Sequence, residues 1–255
     1  MIVFLFLAAA FGGALNAVAG GGSFLTLPAL LYAGISPVAA NATSTLALWP
    51  GSVSSTFAYR GELTSTRQWM LVLGGVSLLG GLAGSVLLVR TSDTSFMRLL
   101  PWLMLVAAAT FTFGGRRRAA GSAPPQTRHR FTRAASWHPE LFVVVLLQFM
   151  ISVYGGYFGG GMGIMMLATM AMAGMTNIHE MNGLKSMLGA SINGLALATF
   201  VVSGTLVWRQ GLVMAIGATL GGYLSASVAR RIDASRVRLF VIVVGWGMTA
   251  YFFWK

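Results

Sequence analysis

The sequence predicts an all-α polytopic membrane protein built from two inverted repeats, each a glycine-broken segment followed by three transmembrane helices. Scarce charge, long charge-free runs and an internal repeat predict this fold. Of 255 residues, 56% are hydrophobic and 9% are charged, whereas a typical soluble domain carries about 25% charged residues. So little charge cannot cover the surface of a globule of this size, and a soluble enzyme is therefore excluded.

Five runs without Asp, Glu, Lys or Arg divide the chain into membrane-sized segments. They cover residues 1–59, 68–89, 141–179, 186–208 and 210–229. Because a spanning helix needs roughly 20 apolar residues, we predict four segments in each half. The predicted segments are 2–33, 37–59, 67–89 and 95–114 in the first half, and 140–175, 177–204, 209–229 and 235–254 in the second.

The two halves of the chain repeat each other. The glycine run at 20–22 recurs at 159–161. Farther along, a slightly longer spacing joins Asn41 to Asn182, Thr45 to Ser186, and Gly80-Gly81 to Gly221-Gly222. We therefore predict a first transmembrane repeat over 1–114, a basic linker over 115–138 and a second transmembrane repeat over 139–255.

Cap signals mark where the second segment of each half begins. Ser36 places a capping hydroxyl before Pro37, a residue suited to the first helical position. Thr176 and Asn177 occupy the same place in the second half. These residues predict helix starts at about 37 and 177.

The placement of basic residues favours broken segments that enter the membrane and return to the side from which they came. With Lys185 counted as intramembrane, this topology places twelve basic residues inside and four outside, whereas eight simple crossings place ten inside and six outside. The first split follows the positive-inside rule better. It makes the halves inverted repeats and places linker 115–138 in the cytoplasm.

Two glycine runs interrupt apolar segments at equivalent points of the repeat. They comprise Gly20, Gly21 and Gly22, followed by Ser23, and Gly159, Gly160, Gly161 and Gly163. Such runs free backbone N–H and C=O groups, which a bilayer tolerates only inside protein or beside a wet cavity. One interpretation is a broken helix whose amides bind an anion, and the other is close helix packing on small residues. The pairing of the runs favours a binding site.

A helix with one polar face follows each glycine run. The faces consist of Asn41, Ser44, Thr45 and Ser52 in the first half, and of Asn182, Lys185, Ser186 and Asn193 in the second. The same helical spacing in both halves would let the two faces line a cavity near the membrane midplane. The alternative is hydrogen bonding between helices without a ligand.

Lys185 favours the ligand-binding interpretation. It lies within an apolar helix, where an ammonium costs roughly 3 kcal/mol on insertion scales. Glu180, a bound anion, or loss of the proton could each compensate for this cost, and a lysine that loses its proton could exchange protons during transport. Snorkelling of the ammonium to the interface is the structural alternative.

His179 and Glu180 stand at the start of the same helix. They are candidates for a proton relay, because His titrates near neutral pH. A capping role is the alternative, because acidic residues favour the first turn of a helix. Tyr154 and Tyr157, beside the second glycine run, could contact a substrate or pack.

No other chemistry is indicated. The sequence has no HExxH motif, no nucleotide-binding P-loop and no cysteine, so we expect no enzyme activity, no catalytic residue, no metal and no cofactor. Basic cytoplasmic loops explain the net charge of +12 better than nucleic-acid binding does. The expected partners are a small anionic substrate and the lipid bilayer. The oligomeric state stays open, a homo-oligomer included.

Three motifs resemble the sulfite exporter TauE/SafE family of membrane permeases. They are GGGSFLTLP at 20–28, NATS at 41–44 and HEMNGLKS at 179–186. The resemblance implies a multi-pass carrier in the bacterial inner membrane that moves small anions such as sulfite, sulfonates or thiosulfate, coupled to protons rather than to ATP. Pro28 has no counterpart in the second half, where Met166 and Leu167 occupy the place, so we expect the two broken segments to bend differently.

Together, these indications predict a secondary transporter, with export as the expected direction, for a small anion such as sulfite or an organosulfonate. Half-helix N-termini at both glycine runs would hold the anion, and Lys185 would supply the counter-charge. The hydrogen-bond donors would be Asn41, Thr45, Asn182 and Ser186. The alternatives are a passive anion channel and a membrane scaffold that transports nothing.

Overall fold

The structure, a computed structural model, describes residues 1–18, 21–63, 67–114, 139–228 and 234–254. Ten helices form within these ranges, and the predicted all-helical fold is confirmed for them. They are α1 (Ile2–Val18), α2 (Ser23–Tyr32), α3 (Pro37–Ala58), α4 (Arg67–Arg90) and α5 (Asp93–Gly114), then α6 (Pro139–Tyr157), α7 (Met162–Met172), α8 (Ile178–Val202), α9 (Trp208–Val228) and α10 (Ala234–Trp254). Helix ends lie within three residues of the predicted segments, and the first segment of each half contains two helices. Gly20 and the predicted linker 115–138 lie outside the described residues.

The helices differ in whether they can cross a bilayer. Among the described residues, three stretches are long and apolar enough to do so, namely Trp69–Arg90, Asp93–Phe113 and Ile178–Val202. By contrast, α2 and α7 have 10 and 11 residues. At 1.5 Å per residue they rise about 15 Å, roughly half of a hydrocarbon core of about 30 Å. Neither short helix can cross a membrane alone.

The first short helix folds back along its predecessor. A β-carbon at Gly12 in α1 would lie 2.9 Å from Thr26 Cγ2 in α2. The rings of Phe4 and Tyr32 make an edge contact, with centroids 5.6 Å apart. Because Phe4 is near the start of α1 and Tyr32 ends α2, the two helices run antiparallel as a hairpin.

The second break has a different backbone from the first. Gly159 and Gly161 have φ values of +82° and +79°, left-handed conformations that glycine adopts without steric cost. Gly22, which precedes α2, has a φ of −58°. The two breaks therefore bend differently. Pro28 lies inside α2, where the chain stays helical, so it does not produce this difference. The difference arises from the backbone conformations of the glycines at the two breaks.

Glycines bring pairs of helices into backbone contact. Between α1 and α9, a β-carbon at Gly13 would collide with the Ala218 carbonyl, and one at Gly221 with the Ala10 carbonyl. Small residues let membrane helices approach closely in this way. Corresponding contacts between α4 and α6 involve Gly80, Gly84 and Gly156.

The two helices with polar faces, α3 and α8, lie antiparallel against each other. Trp49 Nε1–H in α3 donates a hydrogen bond to the Ala190 carbonyl in α8 (3.0 Å). A β-carbon at Gly183, near the start of α8, would lie 3.4 Å from Tyr59 Cβ. The end of α3 therefore lies beside the start of α8.

These two helices begin with different caps. Asn177 caps α8 as predicted, because its Oδ1 accepts a hydrogen bond from the His179 backbone N–H (3.0 Å). Ser36 is the N-cap residue of α3, as predicted, but its hydroxyl makes no capping bond. Instead, Oδ1 of Asp93 at the start of α5 accepts a hydrogen bond from the Val38 backbone N–H (2.9 Å). A distant carboxylate takes the place of the local hydroxyl and ties α5 to α3.

Candidate functional site

A cavity of about 160 Å³ lies between α3, α8 and the two helix breaks. Polar and apolar side chains from both halves of the chain share its lining. The lining residues are Asn16, Ser23, Thr45, Leu48, Ser52, Ser55, Tyr59, Phe158, Gly159, Met162, Gly163, Met166, Asn182, Lys185, Ser186, Gly189 and Asn193.

The cavity is closed at one end. Its lining on α3 runs from Thr45 to Tyr59, which follows the last residue of the helix. Asn41, one turn before Thr45, and Ser44, directly before it, are each only 2% exposed. Because α3 and α8 are antiparallel, the open end lies where α3 ends and α8 begins, and the closed end lies near Thr45 and Asn193.

Eight of the fifteen residues predicted to bind substrate line this cavity, and so does Ser52 of the predicted polar face. The eight come from both halves and from both kinds of predicted feature, the glycine runs and the polar faces. They are Ser23, Thr45, Gly159, Gly163, Asn182, Lys185, Ser186 and Asn193. The fold therefore brings together a set of neutral hydrogen-bond donors and one lysine.

Lys185 carries the formal charge among the described residues that line the cavity. Its aliphatic stem passes Gly163 at the start of α7, with Cδ 3.3 Å from the position of a β-carbon at that glycine. Asn182 and Ser186 lie on the same face of α8. A cationic group among amide and hydroxyl donors is suited to a small anion.

Asn41 and Ser44 lie behind the closed end of the cavity. Asn41 Nδ2–H donates a hydrogen bond to the Tyr157 carbonyl (2.9 Å). The Ser44 and Thr26 hydroxyls share a hydrogen bond of 2.6 Å. In this conformation both polar groups are used between helices, which is the alternative that the sequence left open for the polar faces.

Four of the predicted glycines lie in packing contacts outside the cavity lining. A β-carbon at Gly21 would lie 2.8 Å from Val241 Cγ1, and one at Gly22 would lie 2.6 Å from the Gly12 carbonyl oxygen. The remaining two are Gly160, packed on Phe158, and Gly161, packed on Ala107. Gly20 lies outside the described residues.

The predicted proton-relay pair stands at the open end of the bundle. His179 and Glu180 belong to the first turn of α8, and His179 is exposed. Neither residue lines the cavity. Of the two tyrosines, the Tyr154 hydroxyl donates a hydrogen bond to the Gly160 carbonyl (2.6 Å) and so braces the second break. The Tyr157 ring packs against Phe96, with centroids 5.9 Å apart.

Three polar lining residues were missed by the prediction. Asn16 lies in α1, and Ser55 and Tyr59 continue the face of Thr45 toward the end of α3. A signal was present for each: Asn16 is an amide in a charge-free apolar run, and steps of three and four residues lead from Ser52 to Ser55 and Tyr59.

Apolar helices packed around a polar cavity at two helix breaks define a multi-pass helical membrane protein. The family model described as Sulfite exporter TauE/SafE matches residues 5–252. The chain belongs to this family, and it is a membrane transporter of the TauE/SafE type, as the sequence motifs predicted. No solved structure matches it significantly.

Curated relatives cover nearly the full chain. A protein of Sinorhizobium sp, named Probable membrane transporter protein ORF9, is 28% identical over 247 residues, which are 96% of this chain and 89% of the relative. A Probable membrane transporter protein of Haemophilus influenzae is 28% identical, covering 92% and 88%. The Probable membrane transporter protein YfcA of Escherichia coli K12 is 26% identical, covering 96% and 87%.

Proposed function

We propose that the chain is a secondary transporter that exports a small anion, such as sulfite or an organosulfonate, across the bacterial inner membrane and couples this export to protons. The observation that carries this proposal is the position of Lys185 in the lining of a one-ended polar cavity. A charged side chain at membrane depth is costly and marks substrate pathways in transporters. The other described residues that line the cavity with Lys185 are uncharged.

The lining is suited to a sulfur oxyanion with or without a short carbon chain. Asn182, Ser186 and Asn193 offer N–H and O–H donors for the oxygens of such an anion. Leu48 and Met162 add apolar surface to the same cavity, which accommodates an organic substituent. A cavity of about 160 Å³ restricts the substrate to a small molecule.

The hairpin of α1 and α2 supports the topology in which broken segments return to the side of entry. With that topology, the excess of basic residues places the end of α3 and the start of α8 on the cytoplasmic side. The cavity opens at this end, so it loads an anion from the cytoplasm. Export is therefore the direction that we propose.

Equivalent packing contacts support an inverted repeat. Gly221 in α9 packs on the carbonyl of Ala10 in α1, and Gly80 in α4 packs on the carbonyl of Phe149 in α6. Gly80 and Gly221 hold equivalent positions in the repeat, because they have the same spacing as Asn41 and Asn182. Ala10 and Phe149 are equivalent as well, because they have the same spacing as the glycine runs at 20–22 and 159–161. Exchanging the halves thus exchanges these contacts. We propose 1–114 and 139–255 as the repeats, joined by a cytoplasmic linker at 115–138.

Proton coupling in this proposal uses groups on α8. Lys185 binds the anion when it is protonated and releases it when the proton leaves. His179 and Glu180, in the first turn of the same helix, stand between the cytoplasm and the cavity and relay the proton.

Sulfite accumulation in liposomes tests the proposed function. Purified protein is reconstituted, a pH difference is imposed, and radiolabelled sulfite is followed above neutral pH against protein-free liposomes. A coupled carrier concentrates sulfite above the external level, and dissipation of the pH difference abolishes the concentration. Equilibration without accumulation would indicate a passive channel, and no flux with sulfite or a small sulfonate would indicate a scaffold. Either result would overturn the proposal.

A further inference from the structure

Asn41 joins the two halves of the chain at the closed end of the cavity. Its Nδ2–H donates to the Tyr157 carbonyl across a sequence separation of 116 residues. Tyr157 is the last residue of α6, so its carbonyl is one of those that a helix end leaves without an intrahelical partner. Asn41 satisfies this carbonyl and fastens α3 to the break between α6 and α7.

Asn182 holds the equivalent position in the second half but lines the open cavity. In the first half, the carbonyl equivalent to that of Tyr157 belongs to Val18. Val18 and Tyr157 have the same spacing as the two glycine runs, and Val18 is the last described residue of α1. Each repeat therefore carries an asparagine and a backbone carbonyl beside its helix break. In this structure, the asparagine of the first repeat bonds to the carbonyl of the second.

We propose that Asn41 and Asn182 are alternating latches of the transport cycle. Asn41 bonded to the Tyr157 carbonyl holds one end of the cavity closed. In the opposite conformation, Asn182 bonds to the Val18 carbonyl and closes the other end, while Asn41 is released into the cavity. This inference rests on the inverted repeat of the proposed function.

Another bond at the closed end does not share this symmetry. The Val207 backbone N–H donates to Thr43 Oγ1 (3.1 Å), and it too joins the two halves. The residue equivalent to Thr43 in the second polar-faced helix is Leu184, which has no hydroxyl to accept an equivalent bond. The bond made by Asn41 can therefore be replaced by an equivalent bond of Asn182 in the opposite conformation. The bond made by Thr43 has no such equivalent.

Side-specific cysteine labelling tests the latches, because the chain contains no cysteine. Thr45→Cys places a thiol in the cavity one turn from Asn41, and the exposed Arg60→Cys marks the side where α3 ends. Labelling of Thr45→Cys by a membrane-impermeant maleimide is measured from each side of oriented vesicles without added anion. Adding Asn41→Ala is expected to raise the labelling rate from the side where α3 begins about fivefold, the ratio that corresponds to one net hydrogen bond. Adding Asn182→Ala is expected to lower it.

The two substitutions are expected to shift the labelling rate in opposite directions. A general loosening of the helix packing would instead raise the rate in both variants. Asn182 is half-buried at the cavity surface, so its truncation keeps the test valid if Asn41→Ala folds poorly. Ser191→Ala truncates a side chain of α8 outside the cavity lining and is expected to leave the ratio of labelling rates from the two sides unchanged. The proposal would be overturned if Asn41→Ala and Asn182→Ala shifted the labelling rate of Thr45→Cys in the same direction. It would also be overturned if Asn182→Ala left the ratio of the labelling rates from the two sides unchanged. Because no anion is present, this outcome is independent of whether sulfite is the substrate.

Discussion

The stem of Lys185 passes over Gly163, with its Cδ 3.3 Å from the position that a β-carbon of residue 163 would occupy. The lysine belongs to α8 and the glycine to the first turn of α7, so the contact joins the polar face to the helix break. A side chain at 163 would compete with the lysine for this space. Gly163 thus has a spacing role that is distinct from helix breaking.

Replacing Gly163 tests this spacing role. Gly163→Val is expected to displace Lys185 and to raise the Kd for sulfite about tenfold, or about 1.4 kcal/mol. Gly163→Ala is expected to have a smaller effect, because the flexible stem can move by a few tenths of an ångström. Titration calorimetry on purified protein measures both. Equal Kd values for Gly163→Val and the unmodified protein would show that the contact does not position the lysine.

Asp93→Ala tests the long-range cap of α3. Loss of the acceptor for the Val38 N–H is expected to cost about 1 kcal/mol, which lowers the Tm in detergent by about 3 °C. Ser36→Ala is the matched control and is expected to keep the Tm unchanged, since Ser36 makes no capping bond. A larger drop for Ser36→Ala than for Asp93→Ala would reverse the assignment of the cap.

Gly221→Val tests the backbone contact between α1 and α9. A side chain at Gly221 collides with the Ala10 carbonyl, and overpacking of this kind costs about 1–3 kcal/mol. We expect a lower Tm and less folded protein in the membrane. Gly74→Ala in α4 is the control, because a β-carbon there would have no neighbour within 4 Å. A Tm for Gly221→Val equal to that of Gly74→Ala would argue against the contact.

The sequence predicted the helices and the polar faces because both follow from local patterns. Charge-free runs set the segments, and spacing of three and four residues placed Thr45, Asn182, Lys185 and Ser186 on faces that do meet in the cavity. The cap of α3 could not be predicted locally. Its acceptor, Asp93, lies 55 residues from Val38, and only the packed fold brings α5 to that helix end.

The sequence could not predict which member of each equivalent pair lines the cavity. Asn41 and Asn182 are identical residues at equivalent positions, and one is bonded behind the closed end while the other faces the cavity. A repeat in sequence is symmetric, whereas a conformation open at one end is not. The same reason separates Lys185, which lines the cavity, from Ser44 at the equivalent position, which bonds to Thr26 behind the closed end.

Sulfite binding to Lys185→Ala is the most direct test of the claim that the cavity holds an anion through this lysine. Ser191→Ala is the matched control, because Ser191 lies on α8 outside the cavity and bonds to the Met187 carbonyl (2.9 Å). Titration calorimetry is expected to give the same Kd for Ser191→Ala and the unmodified protein. In Lys185→Ala, the Kd is expected to rise about a hundredfold, near 3 kcal/mol, because the charge partner is lost. A Kd for Lys185→Ala equal to that of the unmodified protein would contradict the account.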